Sequence, residues 1–506
     1  MTLTTPSRSP RSFPLALDRV AIALMVALSL LIGVMLWGGE RTAPWVREFS
    51  WQGKQVGADD TAFLLTFSRP MDHASVESNL RIEPPLPGKV SWAGRRMAYT
   101  LMLPAPYGTE FRVQLEGAKE RFGGAQGTVI QPFTGQFRSR DRAFAYIGVE
   151  GEEEGRLVLY NLNQQQKQIL TPKELVVMEF KAYPLGDCLL FAAVPRTAQP
   201  QGLLEQQLYT VTTGIHVEPP VQLDNQTSGI SAAATPPTPP GKVELVLDSN
   251  THQNLRFDLS TDGKIIVVQR VNRNDPADFG PWLLKAGEPP TPLKGQPGGD
   301  FLITPDSSSL AISQGQGLAI LPLQPEAKPL NFLPKFGMVL NFSQDGSLAA
   351  MVKFNTDRTR SLFLVTSQGT QKQLLRTTGS ILNAQFDPTR QTLYCLLTEL
   401  NTEGNLYREE PYLAAIDLKT SKLSPLLRLP DQRDVQLSLA PDGLAILFDQ
   451  TTRSTQTSDT EPLRDSSGKA IANSRLWLLP INPTAPTTNI QPEALPLPGL
   501  RPRWLP

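Results

Sequence analysis

The chain has 506 residues, which is room for about three domains of ~150 residues or for one very large β domain. Hydrophobic residues make up 40%, which excludes extensive disorder, and 48 Lys and Arg balance 48 Asp and Glu, which leaves no net charge to attract nucleic acid. Glycine and proline, with 37 and 46 residues, favour many turns over long helices, so we predict an all-β protein without a nucleic-acid partner.

The first predicted element is an apolar helix close to the N-terminus. Val20 to Trp37 carry no charge, and the two glycines that follow extend the run to 20 residues. At ~1.5 Å per residue such a helix spans about 30 Å, the thickness of a bilayer core. A cleavable signal peptide has a shorter apolar region of ~7–15 residues and a small residue at the position of Trp37. We predict an uncleaved transmembrane anchor at 20–39 behind a cytoplasmic tail at 1–19; a signal peptide and a buried core helix are the alternatives.

Residues 45–136 predict a small β-sandwich. A buried-strand run, Thr61 to Phe67, stops before Pro70, which cannot donate to a strand ladder. The stretch TEFRVQLEG, from Thr109, alternates apolar and polar side chains, as expected for a strand with one buried face. Several short strands at spacings of ~8–15 residues are typical of a sandwich.

The order of these segments resembles a known family. LLTFSRPMDHASV, IEPPLPGKVSWAGRRMAYTL and LPAPYGTEFRVQLEGAKERFGG are together similar to the bacterial Ig-like domain of the SbsA type, over residues 56–138. The chain departs from that pattern in KERFGG, where the family carries an aspartate before Gly-Asn. The resemblance implies a spacer or adhesion module outside the cytoplasm. It therefore favours a cytoplasmic N-terminus and a periplasmic or otherwise extracytoplasmic body, an orientation that the balanced Lys and Arg counts around the anchor do not set.

From residue 137 to the C-terminus one pattern recurs: an apolar residue, a turn of Pro, Asp, Gly or Ser, and then five or more apolar residues. NFSQDGSLAAMVKF, from Asn341, is one copy. Asp accepts hydrogen bonds from nearby backbone N–H groups and Gly adopts positive φ, so Asp-Gly reverses the chain tightly. The apolar residues that precede the turns are Phe137, Phe180, Leu259, Ile303, Phe342, Phe386 and Leu439.

The spacing of these copies predicts a β-propeller over 137–506. Successive intervals are 43, 79, 44, 39, 44 and 53 residues, and blades of four strands repeat at roughly 40–45 residues. The longest interval contains a Pro-, Ala- and Thr-rich stretch, and a polar stretch follows the last copy, so we predict inserted loops at 224–241 and 451–470. A second hairpin follows each copy, which favours seven blades; six or eight are the alternatives.

The apolar runs after the turns are continuous, as in strands whose two faces are both covered. The turn and its following hairpin resemble the TolB-type WD40-like repeat, most closely in Ala440-Pro441-Asp442-Gly443. The final RPRWLP, which contains Trp504, has the pattern of another first strand. We predict that this tail pairs with the first blade and closes the ring, which removes exposed sheet edges.

The sequence assigns no catalytic, cofactor-binding or metal-binding residue. His73, His216 and His252 are far apart and lack metal-ligand spacing, so we predict surface histidines. The sequence contains no nucleophile elbow, P-loop or dinucleotide-binding fingerprint. The charged runs at 152–154 and 408–410 are predicted to be solvated loops.

Cysteines and tryptophans are predicted to be structural. Cys188 and Cys395 lie within apolar runs, where free buried thiols are expected. Trp282, Trp477 and Trp504 are predicted to pack between strands rather than to hold a ligand.

These features favour a non-enzymatic, single-pass membrane protein that mediates interactions. The sandwich would act as a stalk, and the propeller would present loops on a rigid scaffold to a protein, peptide or glycan partner in the periplasm or cell envelope. The alternative is an envelope hydrolase or lyase with its site in the propeller channel. Converging carboxylate, His or Arg groups at the channel mouth would favour the enzyme, and an apolar or hydroxyl lining with an exposed apolar patch would favour docking.

Overall fold

The computed structural model describes most of the chain, in ranges separated by short gaps. The described residues are 16–38, 43–122, 127–198, 205–215, 238–293, 298–315, 317–323, 331–401, 408–430, 432, 434–453, 471–482 and 491–506. The tail at 1–15, His216 and most of the two predicted inserted loops lie outside them. Of those loops, the structure describes 238–241, with a turn at 240–241, and 451–453, which belong to a strand.

The N-terminal helix α1 runs from Ala16 to Gly38. The large apolar side chains described on it, such as Val20 and Ile22, are 47–67% exposed. The alternative of a buried core helix is therefore wrong. Within the described part of the chain, no helix is both long and apolar enough to cross a membrane.

Eight strands follow α1 and form two four-stranded sheets. The sheet orders are β1-β3-β6-β5 and β2-β8-β7-β4, with β2 parallel to β8 and the other pairs antiparallel. The strands are β1 Val46–Phe49, β2 Gln55–Val56, β3 Ala62–Phe67, β4 Leu80–Glu83, β5 Gly88–Ala93, β6 Arg96–Leu101, β7 Glu110–Leu115 and β8 Phe133–Ser139.

The two sheets enclose one hydrophobic core. In β7 the buried side chains are Phe111, Val113 and Leu115, which confirms the predicted alternation. Between β3 and β4 the chain forms a short helix, α2 His73–Asn79. The Asp72 carboxylate accepts a hydrogen bond from the backbone N–H of Ser75 at 2.7 Å, which caps this helix and explains why it forms.

The remaining strands run from Ala143 to Trp504. They are β9 Ala143–Gly148, β10 Leu157–Asn161, β11 Gln166–Ile169, β12 Leu175–Ala182, β13 Cys188–Pro195, β14 Gln207–Thr212, β15 Val243–Leu247, β16 His252–Leu259, β17 Ile265–Asn272, β18 Phe279–Lys285, β19 Thr291–Pro292, β20 Phe301–Ile303, β21 Ser309–Gln314, β22 Gly317–Pro322, β23 Asn331–Leu333, β24 Met338–Phe342, β25 Leu348–Phe354, β26 Arg360–Thr366, β27 Gln371–Thr377, β28 Ile381–Phe386, β29 Thr392–Asn401, β30 Arg408–Asp417, β31 Leu423–Arg428, β32 Leu437–Leu439, β33 Ala445–Arg453, β34 Ile471–Pro480 and β35 Glu493–Trp504.

These strands form a β-propeller. From β12 to β31 the chain makes five antiparallel sheets of four strands, each in sequence order. A sixth sheet has the order β11-β10-β9-β35-β34-β33-β32. The first strands of successive sheets from β16 to β32 contact one another, and β32 contacts β35, so the sheets radiate from a common axis with their first strands innermost.

The second strand of each sheet is covered on both faces, as the continuous apolar runs predict. All six residues of β9 are buried, and so are the six central residues of β13, Leu189 to Val194. Each face packs against a different neighbouring sheet: Leu189 belongs to the core shared with β9, and Leu190 to the core shared with β16 and β17. Because neither face of these strands is exposed to solvent, apolar and polar residues do not alternate along them.

The C-terminal tail closes the ring. The first half of β35 pairs with β34, and its second half pairs with β9, with Leu500 opposite Ile147 and Trp504 opposite Phe144. This confirms that the RPRWLP segment returns to the start of the propeller. The long seven-stranded sheet exists because β35 serves both ends of the chain.

The turns that follow the first strands have the predicted geometry, with two exceptions. Phe137, the apolar residue of the predicted first copy, lies in sandwich strand β8 and in the sandwich core, so the sandwich extends to Ser139 and not to residue 136. Gly263, Gly346 and Gly443 have φ of 71°, 70° and 74°, values that favour glycine. In the second copy, however, β12 ends at Ala182, which pairs with Leu189, and not at the predicted Phe180. The sequence YPLGD supplies a turn that starts two residues later than expected.

Candidate functional site

A row of polar side chains surrounds the propeller axis. It consists of the penultimate residues of the innermost strands, and we call it the axial polar row. Six innermost strands, β12, β16, β20, β24, β28 and β32, each have such a penultimate position. It is polar in five of them and apolar in β20, where the residue is Leu302. The axial polar row is Lys181, Asp258, Asn341, Gln385 and Ser438.

Asp258 joins three consecutive sheets. One of its carboxylate oxygens pairs with the Lys181 ammonium on β12. The other accepts a hydrogen bond from the backbone N–H of Ile303 on β20 at 2.7 Å. Asp258 is buried, and this carboxylate satisfies a donor on the free edge of the neighbouring innermost strand.

Gln385 makes the equivalent link on the other side of the ring. Its side-chain amide donates to the carbonyl of Leu437 at 3.0 Å and accepts from the backbone N–H of Leu439 at 2.7 Å. On β32, Ser438 Oγ accepts from the backbone N–H of Trp504 at 3.0 Å. These bonds tie β28 to β32 and β32 to the tail.

Arg501 joins the tail to the next sheet. Its guanidinium donates to the Met178 carbonyl on β12 at 2.6 Å, and its backbone N–H donates to Asp449 at 2.7 Å. Asp449 also accepts from the backbone N–H of Gln436 at 2.6 Å. Burial of this carboxyl raises its pKa to about 6, although the two backbone donors favour the ionised form.

The remaining charged groups near the axis also have opposite charges beside them. Arg256 on β16 forms an ion pair with Asp300. Burial lowers the pKa of Arg503, and the charges of Glu179 and Asp258 act in the opposite direction. In the described part of the chain no cluster of His, Cys, Asp and Glu could hold a metal ion. Asp258 and Arg256 are therefore each held in an ion pair, and the charges of Arg503 and Glu179 act on each other.

Beside the axial polar row lies a set of apolar residues that we call the bulge ring: Met178, Leu255, Leu340 and Leu382. Each is the extra residue where the register between an innermost strand and its partner shifts. A bulged residue is left out of the ladder, and its side chain can point in a different direction from those of its neighbours. Leu340 packs against the core that contains Ala350 and Leu362. Leu255 and Leu382 are 44% and 43% exposed, while Met178 and Leu340 are half-buried.

The sandwich covers the opposite end of the propeller. The backbone N–H of Tyr107 donates to the Asp442 carboxylate at 3.0 Å, in the turn after β32. Gln344, in the turn after β24, donates to Asp59, and Arg140 donates to the carbonyl of Pro506 at 2.9 Å. All three contacts lie where innermost strands end.

The bulge ring lies toward the other end of these strands. Leu255, for example, stands four residues before the end of β16, which places it ~13 Å along the strand from the turn at ~3.3 Å per residue. None of the contacts described above between sandwich and propeller reaches this end. The bulge ring therefore borders the axis at the mouth that faces away from the sandwich.

Of the three histidines that were predicted to lie on the surface, the structure describes two, and only His73 is exposed. His73 is exposed and stacks on Trp92, with 4.1 Å between ring centroids. His252 is not on the surface: it begins β16, its side chain is 12% exposed, and its ring packs against Trp282. Burial lowers the pKa of His252, and the neighbouring Arg270 acts in the same direction. His216 lies outside the described residues.

The predicted charged loops are also partly wrong. Glu153 is buried and accepts a hydrogen bond from the Tyr146 hydroxyl at 3.0 Å, because the chain folds back on β9 after Gly151. Its neighbour Glu152 is exposed, as predicted. The run at 408–410 begins strand β30 rather than forming a loop, although Glu409 is exposed.

The cysteines and tryptophans behave as predicted. Cys395 is buried and Cys188 is half-buried, and both are free thiols. Burial raises the pKa of Cys188 to about 11, which keeps it protonated and unreactive. Trp504 is buried against Phe144, with 5.5 Å between ring centroids.

Neither the axial polar row nor the bulge ring was predicted from the sequence. The axial polar row has a sequence signal, since its members directly precede the apolar residue before a turn, as in Asp258–Leu259 and Ser438–Leu439. Lys181 does not follow this rule from sequence, because the register of its copy was predicted two residues too early. The bulge ring has no such signal, since a bulge depends on how two strands pair.

Comparisons with known proteins yield distant structural likenesses. No protein-family model and no curated protein matches the chain. Similar solved structures include TolB from Acinetobacter baumannii, at 11% identity and a TM-score of 0.39 over 85% of this chain and 83% of that one. An oligogalacturonate lyase from Vibrio parahaemolyticus has 11% identity and a TM-score of 0.42 over 61% and 87% of the two chains. The periplasmic gluconolactonase of Pseudomonas aeruginosa has 11% identity and a TM-score of 0.42 over 72% of this chain and 99% of that one. All three TM-scores are below 0.5, so the propeller assignment rests on the observed strand order.

Proposed function

We propose that the chain is a non-enzymatic interaction protein that binds a protein or peptide partner at the propeller mouth formed by the bulge ring. The observation that carries this proposal is the exposure of Leu255 and Leu382 at an end of the axis that the sandwich leaves open. Exposed apolar side chains grouped on a rigid scaffold are typical of docking surfaces. In this proposal, the hydrogen-bonded axial polar row beneath them stabilises the ring and takes no part in catalysis.

The proposed architecture has seven blades on an Ig-like stalk. Dividing the seven-stranded sheet within β35 gives one blade of β32–β34 with the start of β35 and another of the end of β35 with β9–β11. With the five other sheets, this makes seven. The two sheets of residues 46–139 support the Ig-like assignment by their number and order, which remains a prediction from the sequence resemblance.

We also propose that residues 20–39 anchor the protein and that its body lies in the periplasm or cell envelope. Supporting this, α1 includes most of the predicted span, and its described apolar side chains are exposed, without a protein core to cover them. A helix that exposes apolar residues on every side is stabilised by lipid rather than by water. The orientation stays a prediction from the sequence.

One observation favours the alternative, an envelope hydrolase or lyase. Charged groups that include Glu179, Arg256 and Asp258 converge on the axis, as the enzyme would require. Two of these side chains already form ion pairs within the protein, Asp258 with Lys181 and Arg256 with Asp300. Their charges are therefore already balanced without a substrate. The interaction protein is therefore the better-supported reading.

Site-directed photocross-linking in intact cells tests the proposal. A photoreactive amino acid would replace Leu255 or Leu382, and as control Leu245, which is also exposed but lies on the outermost strand β15. We expect one discrete protein adduct from positions 255 and 382 and none from 245.

A second variant makes the test quantitative. Leu255→Ser combined with Leu382→Ser should lower the adduct yield from a probe at Leu340 at least tenfold, whereas Leu245→Ser should leave it unchanged. Equal adducts from all three probe positions, or none from 255 and 382, would contradict a partner at the bulge ring.

A further inference from the structure

An arginine-lined cleft crosses one end of the first sandwich sheet. Glu48, Thr66, Arg96 and Ala93 lie side by side on β1, β3, β6 and β5, as the strand register shows. Together with Arg47 and Arg95 they line a cleft of about 740 Å³. We call Arg47, Arg95 and Arg96 the arginine patch.

The arginine patch carries a net positive charge. All three arginines are exposed, and no carboxylate among the described residues forms an ion pair with them. Glu48 is the one acid that lines the cleft, so three positive charges face one negative charge. The patch therefore favours an anionic ligand.

An exposed tryptophan stands beside the patch. Trp45 is 43% exposed, and its backbone exchanges hydrogen bonds with Ser68: Trp45 N–H donates to Ser68 Oγ at 3.0 Å, and Ser68 N–H donates to the Trp45 carbonyl at 2.9 Å. The Arg95 guanidinium donates to the Ser68 carbonyl at 3.2 Å. Ser68 thus bonds both to the backbone of Trp45 and to the guanidinium of Arg95.

The patch lies at the end of the sandwich away from the propeller. In the register of β3 and β6, Ala62 pairs with Thr100 at one end and Thr66 pairs with Arg96 at the other. The propeller contact at Asp59 precedes Ala62, so it belongs to the first end. Thr66 and the patch are ~13 Å away, at ~3.3 Å per residue.

The patch is also where the chain arrives from α1. The helix ends at Gly38, and β1 begins at Val46, next to the patch, with Val46 opposite Phe67. Few residues therefore separate an exposed apolar helix from a cationic and aromatic surface. Tryptophan beside basic residues is the composition that proteins place at a membrane–water interface.

We propose that the arginine patch binds the phosphate headgroups of anionic phospholipids and sets the sandwich upright on the membrane. This inference rests on the proposed membrane attachment of residues 20–39. Guanidinium groups bind phosphate oxygens through paired N–H donors, and Trp45 would lie at headgroup depth. The propeller mouth would then face away from the bilayer.

Native mass spectrometry of the full-length protein in detergent micelles tests the lipid preference. The protein would be titrated with phosphatidylglycerol or with phosphatidylcholine of the same acyl chains. We expect phosphatidylglycerol to bind at least fivefold more tightly. Arg95→Gln combined with Arg96→Gln should abolish the preference, while the control pair Arg81→Gln with Arg112→Gln, exposed on the other sheet and equal in charge, should keep it.

The outcomes separate this inference from the proposed attachment. Alkaline carbonate extraction of cell membranes tests the anchor alone: release of the protein would refute attachment, and retention would support it. Equal binding of the two lipids, or loss of the preference in the control pair, would overturn the headgroup site. Inorganic phosphate that displaces phosphatidylglycerol at millimolar concentration would also overturn it, because the patch would then be a general phosphate site.

Discussion

The sandwich and the propeller bury their strands in different ways, although both are built from antiparallel sheets. In the sandwich, β3 and β7 alternate buried residues with half-buried or exposed ones, because each sheet packs on one partner and its other face lies toward solvent. In the propeller, β9 is buried along its whole length, because each sheet lies between two others. The comparison teaches that the pattern of a strand reports how many of its faces have neighbours.

The two regions also differ in what their integrity depends on. The sandwich core is formed within one continuous segment, from Phe49 to Phe137, with aromatic contacts such as Phe49 to Phe63 at 5.3 Å. The propeller depends on a long-range pairing, since β35 must return to β9 to complete the ring. A lesion in the tail should therefore affect the propeller and leave the sandwich intact.

The largest expected effect comes from Trp504→Ala. Trp504 is buried against Phe144 at the closure, and removal of such a side chain costs about 3–5 kcal/mol of unfolding free energy. Trp45→Ala, at an exposed position of the sandwich, should cost much less. Denaturant unfolding followed by circular dichroism measures both. Equal losses for the two variants would contradict closure by the tail.

The second-largest expected effect is a pH dependence of the stability of the propeller. Burial raises the pKa of Asp449 from 3.8 to about 6, so the folded state binds this proton more tightly than the unfolded state does. The stability that this carboxyl contributes is full below pH ~4 and is lost as pH rises through about 6, a change of up to about 3 kcal/mol.

Asp449→Asn removes this titration. The free energy of unfolding of wild type minus that of Asp449→Asn should fall between pH 4 and pH 7, measured by denaturant titration at each pH. Asp306→Asn supplies a control of opposite sign: burial of Asp306 opposes the shift, but hydrogen bonds from Ser308 and Thr304 lower its pKa, so the corresponding difference should rise with pH. A difference that stays flat with pH for Asp449→Asn would show that the two backbone donors offset the effect of burial, and a difference that rises with pH would show that they outweigh it.

How far the sequence predicts this molecule depends on the kind of feature. Turns such as Asp345–Gly346 and apolar runs such as 348–352 are local, so they predict strands, sheets and the closing tail. The site could not be predicted in the same way. The bulge at Leu255 depends on the pairing of β16 with β17, and the burial of Glu153 depends on a fold-back onto Tyr146.

A smaller effect should arise where the two regions meet. Asp442 is buried because the sandwich lies on its turn, and it accepts hydrogen bonds from Tyr107 N–H at 3.0 Å and Leu444 N–H at 3.1 Å. Asp442→Ala leaves these donors without their acceptor and should cost about 1–3 kcal/mol. It should also speed proteolysis of the linker between residues 139 and 143.

The equivalent change at an exposed turn is the control for this prediction. Asp306 makes similar local bonds, to Thr304 and Ser308, but has no sandwich above it. Asp306→Ala should cost roughly 1 kcal/mol or less and leave linker proteolysis unchanged. If both variants behave alike, Asp442 is only a turn residue.

The most direct test of the account is a disulfide across the closure. Ala145 lies opposite Arg503 in the pairing of β9 with β35, so Ala145→Cys with Arg503→Cys should oxidise readily in the folded protein. Ala143→Cys with Arg503→Cys is out of register by two residues and should not. Peptide mapping under native oxidation, with thermal unfolding before and after reduction, measures both. A cross-link in the first pair that raises the melting temperature is the predicted result; a cross-link only in the second pair, or in neither, would contradict a ring closed by the tail.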